Sequence, residues 1–250
     1  MPAVGYFGKV PAMPDYVFQG LSMRAIDAWS VQLTYWLAAG RKAARGDWTT
    51  RFLTSPVWRF VVARNLFGPE GWVGLLAGSA DAVGREFPFI VMMSTALDPL
   101  RSQPIRLLDA HLDPVEEFAL AFIEGQASQR ELMTAANTAA AALERQLETR
   151  PDGSESRLVI PHRTHDAVCF SRSDDEPQGQ PIAYSWPAAR DNENRASLCL
   201  WWHEESEDRP ADVCVTRGMP PYGSTAGFFL GDWSAHGWKR HDAARYLKGT

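Results

Sequence analysis

The pair Gly8-Lys9, inside "GYFGKVPAMPDYV", sets a glycine before a lysine near the N-terminus, the residue types of a phosphate-binding loop. That motif needs a glycine, four residues, then Gly-Lys and a hydroxyl residue opening a helix whose amides face the phosphates. Here only Tyr6 and Phe7 separate Gly5 from Gly8, Val10 stands where the hydroxyl is needed, and Pro11 and Pro14 prevent a clean helix. The dinucleotide glycine pattern is missing as well, so nucleotide binding is not expected. His162 and His165 are three apart, and Asp166, Cys169 and His203 could in principle join them around a metal. Pro161 argues for a loop or strand end, and no CxxC or HExxH accompanies the pair. Surface or hydrogen-bonded histidines are the preferred reading, with no metal and no cofactor expected. In "GSTAG" from Gly223 the serine comes one position too early for a nucleophile elbow. A hydrolase or other enzyme with a scattered site stays open as the alternative, because triads are recognised in space and not in sequence.

What remains is ten tryptophans and a set of polar residues in glycine-rich loops. Asp81-x-x-Gly84-Arg85 forms a compact loop whose charges can pair with each other, with Lys9 or with a partner; the paired, structural reading is preferred. Pro11 and Pro14 stiffen the segment after Gly8, which turns Lys9 and Asp15 into fixed charges. A rigid loop loses little entropy when a partner binds. Trp201-Trp202 adjoins a strand end, where alternation sends neighbours to opposite faces. One is expected in the core and the other at the surface, where tryptophan is a favoured interface anchor. The candidate partner-binding set is therefore Lys9, Asp15, Asp81, Arg85, Trp201 and Trp202.

The elements that must position these residues follow from the apolar pattern. Ser22 is a helix N-cap candidate, with Ile26, Trp29, Leu33, Trp36 and Leu37 on one face behind it. Gly5 to Phe7, "SPVWRFVVA" from Ser55, "WVGLLAG" from Trp72 and "FPFIVMM" from Phe87 read as strands, the last two close enough to form an antiparallel hairpin. Trp48 to Leu53 is short and helical or irregular. Asp113-Pro114-Val115-Glu116 reads as a helix start, and an alanine-rich helix is expected from about Gln129 to Thr149. After the linker "RPDGSES", short strands are expected at 157, 166, 197 and 212, and a last short helix over Gly223 to Gly231. Strands, then helices, then strands predict a mixed sheet flanked by helices, with Trp29, Trp36, Phe60, Leu75, Ile90, Phe118 and Leu143 in the core.

The chain has 250 residues, 45% hydrophobic and 22% charged, with net charge −5. That is the range of a globular protein with a sizeable core, and it excludes a global positive field for nucleic acid or anionic lipid. Three scattered cysteines in apolar stretches point to a reducing compartment. No secretory signal and no run long enough to insert in a membrane is seen, so a cytoplasmic location is expected.

Taken together, "GYFGKVPAMPDYV", "SPVWRF", "GSADAVGREFPF" and, downstream, "SLCLWW" resemble the TagF (ImpM) family of type VI secretion-associated proteins. The first three blocks span residues 4 to about 95 in the family's order; the C-terminal half matches through the Trp pair and "GMPP" at 218. The family's first block often continues with Gly-Asp, whereas here Pro14 precedes Asp15. The resemblance implies one domain over 1–250, a three-layer α/β/α sandwich with a mixed central sheet, and no cofactor. It also implies a non-enzymatic, cytoplasmic, post-translational repressor of type VI secretion linked to the system's forkhead-associated scaffold protein. Some relatives carry a fused phosphatase domain, which is not expected in this chain.

Overall fold

Apolar residues on both sides of the longer strands require a sheet covered on both faces, and those strands are buried on both. The computed structural model describes residues 2–95, 105–148, 156–159, 168–171, 182–185, 198–206, 209–241 and 247–248. The first half contains β1 (Val4–Gly8), β2 (Val17–Gln19), α1 (Met23–Ala44), α2 (Trp48–Leu53), β3 (Trp58–Val62), β4 (Gly71–Ala77) and β5 (Phe89–Thr95). Next come α3 (Ile105–Ile123), α4 (Gln129–Glu148), β6 (Ser156–Val159), β7 (Val168–Ser171), β8 (Ile182–Ser185) and β9 (Leu198–Trp202). The chain ends with β10 (Asp212–Arg217), α5 (Ala226–Leu230), β11 (Lys239–His241) and β12 (Leu247–Lys248).

A nine-stranded sheet runs in the order β11-β7-β10-β9-β3-β4-β5-β1-β2, and β12-β6-β8 form a small second sheet. Every pairing from β7 across to β2 is antiparallel; only β11 joins β7 in parallel at the margin. The expected mixed central sheet is thus corrected to an antiparallel one. Short connections decide this, because β3–β4, β4–β5 and β9–β10 return directly and only neighbouring antiparallel strands can be joined that way. The central seam is β3–β9, where Phe60 faces Trp201 and Arg59 faces Trp202.

Alternation divides the core in two. Tyr6, Val61, Leu75, Leu200 and Trp202 face one side, under Leu108, Leu112 and Val115 of α3 and Leu132, Ala136 and Leu143 of α4. Phe7, Phe60, Leu76, Ile90 and Trp201 face the other, under Trp29, Leu33 and Trp36 of α1, Phe52 of α2 and Phe228 of α5. The expected core residues are buried except Phe118, which is only partly covered. Helix α5 is held by Arg209, whose guanidinium lies 5.4 Å from the Trp58 ring and 5.1 Å from the Trp233 ring. The same group donates to the Phe228 and Gly227 carbonyls at 2.9 Å each.

Ser22 does cap α1, its Oγ accepting from the Ala25 amide. The expected helix start at Asp113 is overturned: α3 begins at Ile105 and Pro114 lies inside it. A proline in a helix interior removes one hydrogen bond. The preceding turns more than offset this, since they bury Leu108 and Leu112 on the sheet and offer Asp109 to Arg59. Strands β2, β8, β11 and β12 are short and carry no clear alternation, and the sequence pattern did not separate them from loop.

Candidate functional site

Pairing of Phe7 with Ile90 puts the end of β1 beside the start of β5, so the loops after β1 and before β5 leave the sheet at the same end. Gly8 turns the first of them with φ 144°, and a Cβ there would come 2.3 Å from the Pro88 carbonyl oxygen. Glycine is required by that approach and not by any phosphate. Lys9 then turns inward: it is buried, its Nζ lies 2.9 Å from Asp81 Oδ2, and it sits 5.0 Å from the centre of the Tyr16 ring.

Asp81 organises the second loop. Its Oδ1 accepts from the Arg85 and Val83 amides at 2.9 and 3.1 Å, and its Oδ2 from Arg85 Nε at 2.7 Å. Burial alone would push this carboxyl up. The Arg85 amide, Lys9, the Arg85 side chain and the Val83 amide outweigh burial and hold it well below the usual carboxylate range. The two loops are stitched together by the Ala82 amide on the Met13 carbonyl at 2.9 Å and Arg85 Nη2 on the Pro14 carbonyl at 2.6 Å. Asp15 stays exposed, its Oδ1 accepting from the Tyr16 amide at 2.8 Å. On top of this network Met13, Tyr16 and Val83 are exposed, while Tyr16 stands edge-on against Phe87 at 5.0 Å.

Lys9, Asp15, Asp81 and Arg85 are therefore brought together, but Trp201 and Trp202 are not part of that surface. Both rings are fully buried, one in each core, and the expected exposed tryptophan is a correction. Trp201 packs among Trp29, Trp36, Phe60 and Phe228. Trp202 donates its Nε1 proton to Asp109 at 2.6 Å. The alternation argument was sound; the surface position did not follow from it, because the helical cover expected on the sheet reaches this strand end on both faces, α1 over Trp201 and α3 over Trp202. The exposed apolar residues that sequence reasoning missed, Met13, Tyr16 and Val83, share one signal: each sits in a loop punctuated by proline or glycine, where no strand can bury it.

A second charged cluster went unrecognised because its members are remote in sequence. Arg59 of β3 is buried and contacts Asp109, Asp113 and Glu116 of α3 at 2.8 Å each and Glu204 at 3.5 Å. Burial pushes the Glu116 carboxyl above its ordinary value, against the pull of Arg59. On the opposite face His203 is buried against Trp58, its Nδ1 2.6 Å from the Glu204 carbonyl, and it lies 3.6 Å from Asp212. His162, His165 and Asp166 lie outside the described residues, as does the side chain of Cys169. Among the described residues no group of three or more His, Cys, Asp or Glu is placed to hold a metal. No helix among them is long and apolar enough to cross a membrane.

Fold and site define an α/β protein that presents a stiffened pair of loops at one end of a helix-covered antiparallel sheet. Residues 5–139, more than half of the chain, match the TagF N-terminal domain, described as type VI secretion system-associated, and the chain belongs to that family. The crystal structure of PA0076 from Pseudomonas aeruginosa PAO1 has a similar fold, with a TM-score of 0.59 and 24% sequence identity over 92% of this chain and 94% of that one. No curated protein matches by sequence.

Proposed function

We propose that this protein is a non-enzymatic, post-translational repressor of type VI secretion that acts in the cytoplasm by binding the system's forkhead-associated scaffold protein. Family membership supports the link to type VI secretion. The helical covers on both faces of the sheet support reading the architecture as a three-layer α/β/α sandwich. The observation that carries the binding reading is the stitched loop pair: the buried Lys9 and Asp81, paired with each other and with Arg85, hold Met13, Tyr16 and Val83 in the open beside Asp15. An apolar anchor on a preorganised loop concentrates binding energy, and truncating such an anchor costs roughly 2 kcal/mol, about thirtyfold in affinity. Arg85 is committed to Asp81 and Pro14, so its charge reversal is expected to disturb the loop before it disturbs any partner.

The experiment is calorimetric titration of the purified scaffold protein with wild type and with a Met13→Ser, Tyr16→Ala, Val83→Ser variant, alongside a secretion assay. The variant should bind at least about thirtyfold more weakly and fail to silence secretion, with its melting temperature close to wild type. A folded variant that binds and silences as wild type does would place the interaction elsewhere.

A further inference from the structure

Helix α1 carries a second surface that the loop pair does not use. Val31 and Tyr35, one turn apart, are both more than half exposed, and the Tyr35 ring meets Tyr222 edge-on at 6.1 Å. One and two turns further on, the buried Ala39 and then Lys42 line a cavity of about 640 Å3 between the end of α1 and the segment around α5. Alanines and Leu230 line its apolar part, and Lys42, Arg45, Arg51 and His236 bring basic groups to it against the single carboxylate of Asp232.

That carboxylate already accepts from the Ala235 amide. Arg51 is shared with Asp47 at 3.0 Å, in a pair whose two side chains are each at least half exposed and so weakly coupled. Among the described residues neither Lys42 nor Arg45 has a carboxylate partner. Arg45 ends α1 with φ 49°, a left-handed backbone that glycine more often supplies. Cations in the last turn of a helix also offset its dipole, which accounts for Lys42 taken alone. It does not account for three cations around one concavity on a chain of net charge −5, beside the exposed rings of Tyr35 and Tyr222.

We propose that this cleft binds an acidic segment of a partner polypeptide, its carboxylates or phosphates meeting Lys42, Arg45 and Arg51 and an adjoining apolar side chain lying on Tyr35 and Tyr222. Three cations fit a short anionic stretch, whereas affinity for a nucleic-acid backbone grows with each phosphate neutralised and so favours a longer basic track. The site is separate from the loop pair and stands or falls without the scaffold-binding reading.

Fluorescence anisotropy of the full chain with a labelled peptide of about twelve glutamate and leucine residues tests it, with a second peptide in which phosphoserine replaces glutamate and with single-stranded oligothymidine. The expected result is peptide binding that weakens between about 50 and about 300 mM salt. Lys42→Glu with Arg45→Glu should weaken it at least about tenfold, and Tyr222→Ala severalfold. Binding of either peptide through these residues supports the proposal, and the tighter one names the anion. Should the reversal variant melt low, Lys42→Gln with Arg45→Gln replaces it, and the loss of binding must persist. Peptide binding unchanged by these variants, no binding of either peptide, or tighter binding of oligothymidine overturns the proposal.

Discussion

Replacing Arg59 with methionine takes away the cation around which four carboxylates gather, and the structure sets how much that should cost. Asp113 and Glu204 have side chains 58% and 59% exposed, so water screens them and each pairing is worth less than about 1 kcal/mol. Asp109 and Glu116 are the ones that matter, at 10% and 23% exposed, and Asp109 also holds the Trp202 indole. Breaking a buried pair while leaving its carboxylate in place costs about 3–5 kcal/mol. For a chain of this size each kcal/mol lowers Tm by roughly 2–4 °C, so the Arg59→Met variant should melt about 6–20 °C below wild type in differential scanning calorimetry. The pH dependence has a definite sign. Burial already raises the Glu116 carboxyl, so the folded protein binds that proton more tightly than the unfolded chain, and ionised Glu116 costs stability above its folded pKa. Without Arg59 that carboxyl rises further. The deficit of the variant should therefore shrink as pH is lowered from about 8 to about 5. Adding Glu116→Leu should recover part of the loss, because an apolar replacement of a buried pair is often neutral, whereas Asp109 is still needed to accept from the Trp202 indole. A variant melting within about 2 °C of wild type at pH 8, or a deficit that grows on acidification, would refute the reasoning.

Asp81→Asn should lower Tm and speed hydrogen exchange at the Val83 and Arg85 amides. Because the wild-type carboxyl is held well below its ordinary value, its contribution is fully present at neutral pH and fades only below about pH 4 as the group protonates; a wild-type advantage already fading between pH 8 and 6 would contradict this. Gly74→Ala places a Cβ 2.2 Å from the Val91 carbonyl oxygen and 2.8 Å from the Phe60 ring, so urea unfolding should show a loss of about 3 kcal/mol or more, whereas Gly223→Ala, with nothing within 4 Å, should change stability little.

Legibility followed the range of the interactions. Ser22, the alanine-rich α4 and the β4–β5 hairpin depend on residues close together in the chain, and the sequence pattern located each of them. Asp113-Pro114 carried a genuine local capping pattern, yet burial of Leu108 and Leu112 pulled the helix two turns further upstream. For the site, the pairing of Asp81 with Arg85 and Lys9 could be anticipated from charge and glycine spacing. The burial of both Trp201 and Trp202 could not, because it needs α1 and α3 to arrive on opposite faces of β9. The Arg59 cluster draws on positions 59, 109, 113, 116 and 204, a grouping that no spacing rule connects.

The seam between β3 and β9 bears on where this chain can be cut. The family match ends at 139, but the strand that covers the outer edge of β3 comes from residues 198–202. A fragment stopping at the family boundary would leave β3 with a bare row of backbone donors and acceptors, and would strip Trp29 and Trp36 of the Trp201 and Phe228 rings packed against them. Such an edge invites pairing with any available strand, including that of a second fragment. The matched segment and the sheet it helps to build are therefore different lengths of chain, and the shorter one carries a sticky margin that the longer one closes for itself.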